Sequence, residues 1–224
     1  MSGRRVITTL DEMPQTLPLF PLSGALLLPR GQMPLNVFEP RYLDMVDEAL
    51  RGNRLIGMIQ PVETSDEEEG GQSSLFPVGC VGRITQFIET DDGRYIITLT
   101  GLCRYRMQAE IAVRTLFRQA QVSYQDFHDD FEPRRGEEAV DRPDLLRALK
   151  AYVEAEQLEI NWREVHAAPT EALVNALAMM SPFGSREKQA LLEAPTLSVR
   201  AAILVAMTEI ELARRDDGSS TGLQ

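Results

Sequence analysis

The chain has 224 residues, 43% apolar and 25% charged, with a formal net charge of −11. It is long enough to bury one large core or two modest ones, and its acidity argues against a nucleic-acid partner, which is held mainly by clustered positive charge. Cys80 and Cys103 stand at no metal or redox spacing, and neither a signal-peptide core nor a run of the roughly 20 apolar residues that a membrane helix requires is present, so a reducing, cytoplasmic setting is expected.

Residues 1–16 read as a flexible N-terminus. Leu17 to Pro61 then reads as three short apolar strands, one helix and a fourth strand. Pro18, Pro21, Pro29 and Pro34 cannot donate to a sheet ladder, which puts these runs at edges, ends or bends of a curved sheet. Glu39-Pro40 starts the helix, because proline fits the first helical position and the acid complements the positive end of the dipole. Tyr42, Leu43, Val46, Ala49 and Leu50 form its apolar face, and Gly52 stops it.

The stretch after Pro61, VETSDEEEGGQSS, reads as a mobile loop, with Asp66 to Glu69 a solvated acidic run. Asp91-Asp92-Gly93 predicts a tight hairpin, its Asp-Gly pair supplying positive φ. In the following strand Tyr95, Ile97 and Leu99 face a core. Cys103, Tyr105 and Met107 continue an inner face, while Arg104 and Arg106 form a basic outer one read as edge protection.

Residues 126–142 read as a polar linker, and 143–214 as a helical bundle. Its predicted helices carry Leu145 to Val153, Leu173 to Met180 with Thr170 as N-cap, Ser185 to Ala194 with Ser185 as cap, and Leu197 to Arg214. In the last of these Val199, Ile203, Ala206, Ile210 and Ala213 are the expected buried stripe. Met179, Met180 and Met207 read as core filler, and residues 215–224 as a disordered tail.

The phrases PLFPL, MPLNVFEPRY and IGMIQP resemble the N-terminal substrate-binding domain of the Lon protease family, which also occurs as stand-alone proteins. VGCVGRITQFIETDDGRYIITLTGLCRYRM, with its Gly-x-x-Arg-aromatic-Arg ending, and FRQAQVSY are similar to later segments of the same domain. The resemblance spans about Leu17 to Arg214. It implies an α+β fold, a PUA-like curved β-barrel (residues 17–125) with one inserted helix, followed by an α-helical bundle. It also implies a non-catalytic module for unfolded or tagged polypeptide, serving a protease or chaperone system.

Chemistry-bearing motifs are scarce. Lys150 and Lys188 do not follow glycine, so no Gly-Lys-Ser/Thr phosphate cradle is present. Ser185 and Lys188 stand at a helix start, where a cap explains the serine better than a nucleophile does. His128 and His166 have no second histidine at ligand spacing, and His128 sits in a polar run. The expectation is therefore no catalytic residue, no cofactor and no metal. For polypeptide binding the candidate groove residues are Phe20, Met33, Phe38, Arg41 and Tyr42, with Arg41 read first as a partner of Glu39 at the helix start. Two alternatives are an RNA-binding stripe of Arg94, Arg104, Arg106, Arg114 and Arg118, and an unrecognised small-molecule enzyme with a deep polar pocket.

Overall fold

The computed structural model of the chain describes residues 9–62 and 73–220. It divides the chain into two compact units, Met1–Pro133 and Arg134–Gln224. The acidic run Asp66–Glu69, the residues before Thr9 and the last four positions lie outside the described residues.

In the first unit β1 (Thr16–Pro21), β2 (Gln32–Val37), β3 (Leu55–Ile59), β4 (Val78–Glu89), β5 (Tyr95–Ile111) and β6 (Gln119–Ser123) form one sheet. β1 pairs in parallel with β3 and antiparallel with β6, β3–β4–β5 are antiparallel neighbours, and the end of β5 pairs with β6. The ring β1–β3–β4–β5–β6 therefore closes, which removes its edges. β2 is left outside the ring and, among the described residues, has one partner, the first half of β5. The parallel β1–β3 pair needs a long crossover, and that crossover holds α1 (Pro40–Arg51). This helix has proline in its first turn and stops at Gly52, as its sequence dictates, and it buries Tyr42, Met45, Val46 and Ala49.

The barrel interior is organised by Tyr105, which is fully buried and donates its hydroxyl to the Met58 carbonyl at 3.2 Å. Its ring lies where two side chains are missing. A Cβ on Gly79 would stand 2.5 Å from Tyr105 Cζ, and one on Gly57 would stand 2.8 Å from the phenol oxygen. Leu17, Leu19, Val81 and Ala120 complete this interior.

The middle apolar run, expected as a strand, is not one. Leu26, Leu27 and Leu28 are buried but irregular. They cross the sheet at the facing pair Gly82 and Gly101, where a Cβ on Gly101 would run into the Leu28 carbonyl. Ladder bonds are replaced by Arg30 N–H to Gly101 O and Gly101 N–H to Gly31 O. The β4–β5 hairpin forms at Asp91-Asp92-Gly93, but only Gly93 has positive φ (77°). Its N–H bonds Thr90 O, so this is a three-residue loop rather than a two-residue one.

The polar stretch expected as a linker is divided between the units. Its first part, the 3-10 segment Gln125–Phe131, covers β5 with Phe127 and Asp130 buried. The Asp130 carboxylate accepts from Arg104 Nη2 at 2.8 Å, from Nε at 2.9 Å and from the Arg104 backbone N–H at 2.8 Å. Arg104 also stacks 4.7 Å from the Phe127 ring centroid, and Arg106 pairs with Asp126 at 2.7 Å. The arginines of β5 are thus met by acids one helical turn apart. Arg104 is buried, so its role is a clamp and not the protection of an open edge.

The second part joins the helical unit, α2 (Arg142–Ala155), α3 (Trp162–Ala167), α4 (Thr170–Met180), α5 (Ser185–Glu193) and α6 (Leu197–Ser220). Thr170 and Ser185 are first helical residues rather than caps. The N-terminus of α4 is instead satisfied by Glu137, which accepts from Glu171 N–H at 2.9 Å. Burial alone would push the Glu137 carboxyl up. That hydrogen bond and the Arg134 guanidinium outweigh it and hold the group below the ordinary carboxylate value.

In α6 the buried positions are Leu197, Arg200, Ala201, Leu204, Val205 and Thr208, and the expected stripe is largely exposed, with Val199 and Ile210 at 39% and 53%. Both faces of this helix are apolar. The true one is hidden in sequence by Arg200, which is satisfied internally by Leu191 O and Asn175 Oδ1. Met180 is exposed, not core filler, and α6 runs past Arg214 to Ser220.

Gly79→Ala should destabilise the first unit by about 3 kcal/mol, because neither the Met58 backbone nor the enclosed Tyr105 ring can yield. Four of the five tyrosines lie in that unit and the single tryptophan, Trp162, in the other. The loss should therefore appear in the near-ultraviolet tyrosine signal during denaturant unfolding. A midpoint unchanged from wild type would refute this account of the core.

Candidate functional site

The five residues singled out in the sequence do not share one groove. Phe20 and Tyr42 are both buried and stack with centroids 4.3 Å apart, where α1 meets β1. Tyr42 donates to Pro21 O at 3.3 Å, and burial pushes its phenol up despite the Arg41 charge nearby. Arg41 is exposed, grips Glu39 at 2.7 Å and lies 4.6 Å from the Tyr42 ring, as expected for a helix-start pair. With Tyr42, Pro21, Pro61 and Leu116 it borders an open cleft of about 340 Å³. Met33 is half-buried on β2 opposite Leu99, and Phe38, just past β2, is 61% exposed.

Phe38 belongs with two residues that the sequence reading passed over. Ile88 on β4 and Ile96 on β5 face each other directly across the hairpin and are 59% and 44% exposed. Ile96 also pairs with Asn36 of the edge strand β2. The Phe38 ring lies 6.0 Å from the Arg94 guanidinium, two residues before Ile96. A usable signal was present: with Tyr95, Ile97 and Leu99 inward, strand alternation puts Ile96 outward. The hairpin carrying this patch is held to α1 by Tyr95, whose hydroxyl donates to Asp47 at 3.1 Å. Further along the same outer face, Thr98 donates to Gln86 at 2.9 Å and Thr85 bonds Thr100, so the apolar character is confined to the hairpin end.

The arginines proposed as an RNA stripe are mostly neutralised. Arg94 pairs with Asp92 at 3.0 Å, Arg104 is buried on Asp130, Arg106 pairs with Asp126 and Arg118 binds Glu110 at 2.7 Å. Arg114 remains as an exposed cation. Among the described residues no group of three or more His, Cys, Asp or Glu side chains could hold a metal ion. Cys80 and Cys103 are buried and not joined in a disulfide, and burial pushes the Cys103 thiol far up, which suits an inert core residue. Ser185 and Lys188 are both buried in α5, and burial lowers the lysine's pKa. No helix is long and apolar enough to cross a membrane among the described residues.

The family described as the ATP-dependent protease La (LON) substrate-binding domain matches residues 16–209. The chain belongs to this family. The Lon protease of Desulfosudis oleivorans is 32% identical over 98 residues, 44% of the chain and 12% of that protein. Lon protease 2 of Myxococcus xanthus is 27% identical over 206 residues, 88% of the chain and 24% of that protein. The chain therefore spans about a quarter or less of these relatives, within the region of the Lon substrate-binding domain. Among solved structures, a Lon N-terminal domain protein from Xanthomonas campestris superposes with a TM-score of 0.61 at 25% identity, covering 85% of the chain and 97% of that structure. The N-terminal domain of a Mycobacterium avium complex Lon protease gives 0.61 at 15% identity, covering 87% and 98%, and supports the fold. The architecture is thus that of the Lon N-terminal domain, a PUA-like barrel with one inserted helix followed by a helical bundle.

Core and surface members of the candidate set should separate in stability. Phe20→Ala should cost about 3–5 kcal/mol, as a buried aromatic truncation. Ile96→Thr, which keeps β-branching at an exposed position, should stay within about 0.5 kcal/mol of wild type. Denaturant titration checks both, and equal losses would show that the patch is part of the core.

Proposed function

We propose that this Lon substrate-binding domain protein is a polypeptide-binding module, and that it takes hold of unfolded or tagged segments at the Phe38, Ile88 and Ile96 patch. The reading rests on one observation above all, the exposed isoleucine pair beside a strand that has a single partner among the described residues. Clustered exposed apolar groups on an otherwise polar face mark interaction sites. An extended segment beside β2 could also use backbone bonds, although Pro34 withholds one donor. The family's description as a substrate-binding domain supports the same class of ligand. Delivery to a protease or chaperone system in a reducing cytoplasm is the setting we assign, in keeping with two buried cysteines not joined in a disulfide. Arg41 and its cleft, which Tyr42 also lines, are the second contact we assign to a bound segment, while Phe20 and Met33 serve packing.

The test uses a permanently unfolded, alkylated polypeptide as probe. The double variant Ile88→Thr, Ile96→Thr should bind it more than tenfold more weakly at unchanged stability, since truncations at the centre of an interface dominate its energy. Binding equal to wild type in a folded double variant would move the site elsewhere.

A further inference from the structure

One groove of the barrel unit carries almost no charge. It is an open depression of about 560 Å³ whose polar lining is Gln15, Thr16, Gln108, Gln121, Ser123 and Gln125, with Leu10, Met13 and Val122 also bordering it. The topology gathers these residues from three strands and the segments that flank them, Gln15 before β1 and Gln125 after β6. Thr16 of β1 pairs with Gln121 of β6, and Gln121 also faces Ala109 of β5. The ladder shifts register between Met107 and Ala109, so Gln108 is an extra residue with no counterpart on β6. A bulge of this kind re-aims a side chain out of the regular pleat. All four glutamines are exposed, and none of their carboxamides bonds another side chain or the backbone among the described residues.

The lining limits what could bind. Each carboxamide offers two donors and an acceptor without charge, and Asp11 supplies the one ionisable carboxylate at the rim. No lysine or arginine lines the groove, so it has nothing to neutralise a phosphate backbone. Tyr124 borders it, but that ring is buried and its hydroxyl is committed to Pro14 O at 2.7 Å. A sugar or base would thus find no open aromatic face on which to stack. What matches a set of neutral, two-way hydrogen-bonding groups is another set of amides.

We propose that the glutamine groove binds extended polypeptide through its backbone N–H and C=O groups, with little regard to side chains. This rests on the polypeptide-binding reading and deepens it. The apolar patch selects side chains, and the groove holds the chain that carries them.

Two measurements test it. Gln108→Ala, Gln121→Ala should weaken binding of the alkylated polypeptide about five- to tenfold, the loss expected for hydrogen bonds to neutral groups. In the wild type, the side-chain amide resonances of Gln108 and Gln121 should shift on adding a short uncharged Ala-Ser-Gly peptide. They should stay still with its alternately N-methylated counterpart, which lacks the donors. If the folded double variant binds like wild type, or if both peptides shift the resonances equally, the groove proposal fails. The patch reading then stands or falls separately on the Ile88 and Ile96 variant. Absence of any binding of unfolded polypeptide by the wild type would overturn both.

Discussion

The barrel unit depends on one buried contact, the Tyr105 ring laid over the bare backbone of Gly57 and Gly79. A phenol fills the interior of a small closed sheet only if its neighbours give up their side chains and its hydroxyl finds an acceptor, here the Met58 carbonyl. Because that carbonyl belongs to β3 and the ring to β5, the same residue ties the two strands that flank β4. Interiors packed to this density deform little. The outer face of the hairpin, with Ile88 and Ile96, is therefore presented on a frame that does not need to be ordered by a ligand.

The outside of β5 is fixed by charge. Arg104 is taken out of water and repaid by side-chain bonds to the Asp130 carboxylate and by a ring, while Asp130 also accepts the Arg104 backbone N–H. Burying such a pair contributes little net stability, but removing either partner would strand the other. Its consequence for function is larger than for stability. Arg104 is covered by its own chain, and Arg94, Arg106 and Arg118 are paired with acids; the same unit also presents an apolar hairpin end and a neutral, amide-rich groove to solvent.

How far the sequence could be read varied with how local the cause was. The start and stop of α1, the turn at Gly93 and the inward parity of Ile97 and Leu99 follow from a few neighbouring residues, and the structure has them. Leu26 to Leu28 look like a strand because burial and strand formation share the same apolar signature, and only the distant pair Gly82 and Gly101 shows why the ladder is absent. The α6 stripe was misread because a buried arginine looks like a surface residue until Leu191 and Asn175 come into view. Asp126 and Asp130 look like linker composition until Arg104 and Arg106 face them across the fold. Of the candidate site, Phe38 and Arg41 were found on the surface. Phe20 and Tyr42 were not, since an aromatic that stacks on a helix and one that greets a ligand are spelled alike.

The proposed binding divides the work between rigid support and exposed surface, and the support is what the helix α1, the Tyr105 core and the Arg104 clamp supply. The most direct measurement of that claim is amide hydrogen exchange of the whole chain with and without bound unfolded polypeptide. The account predicts added protection over β2 and over the Ile88 to Ile96 hairpin, with the Tyr105 region already slow in the free protein. Protection confined to α2 through α6, with β2 and the hairpin exchanging as in the free state, would contradict it.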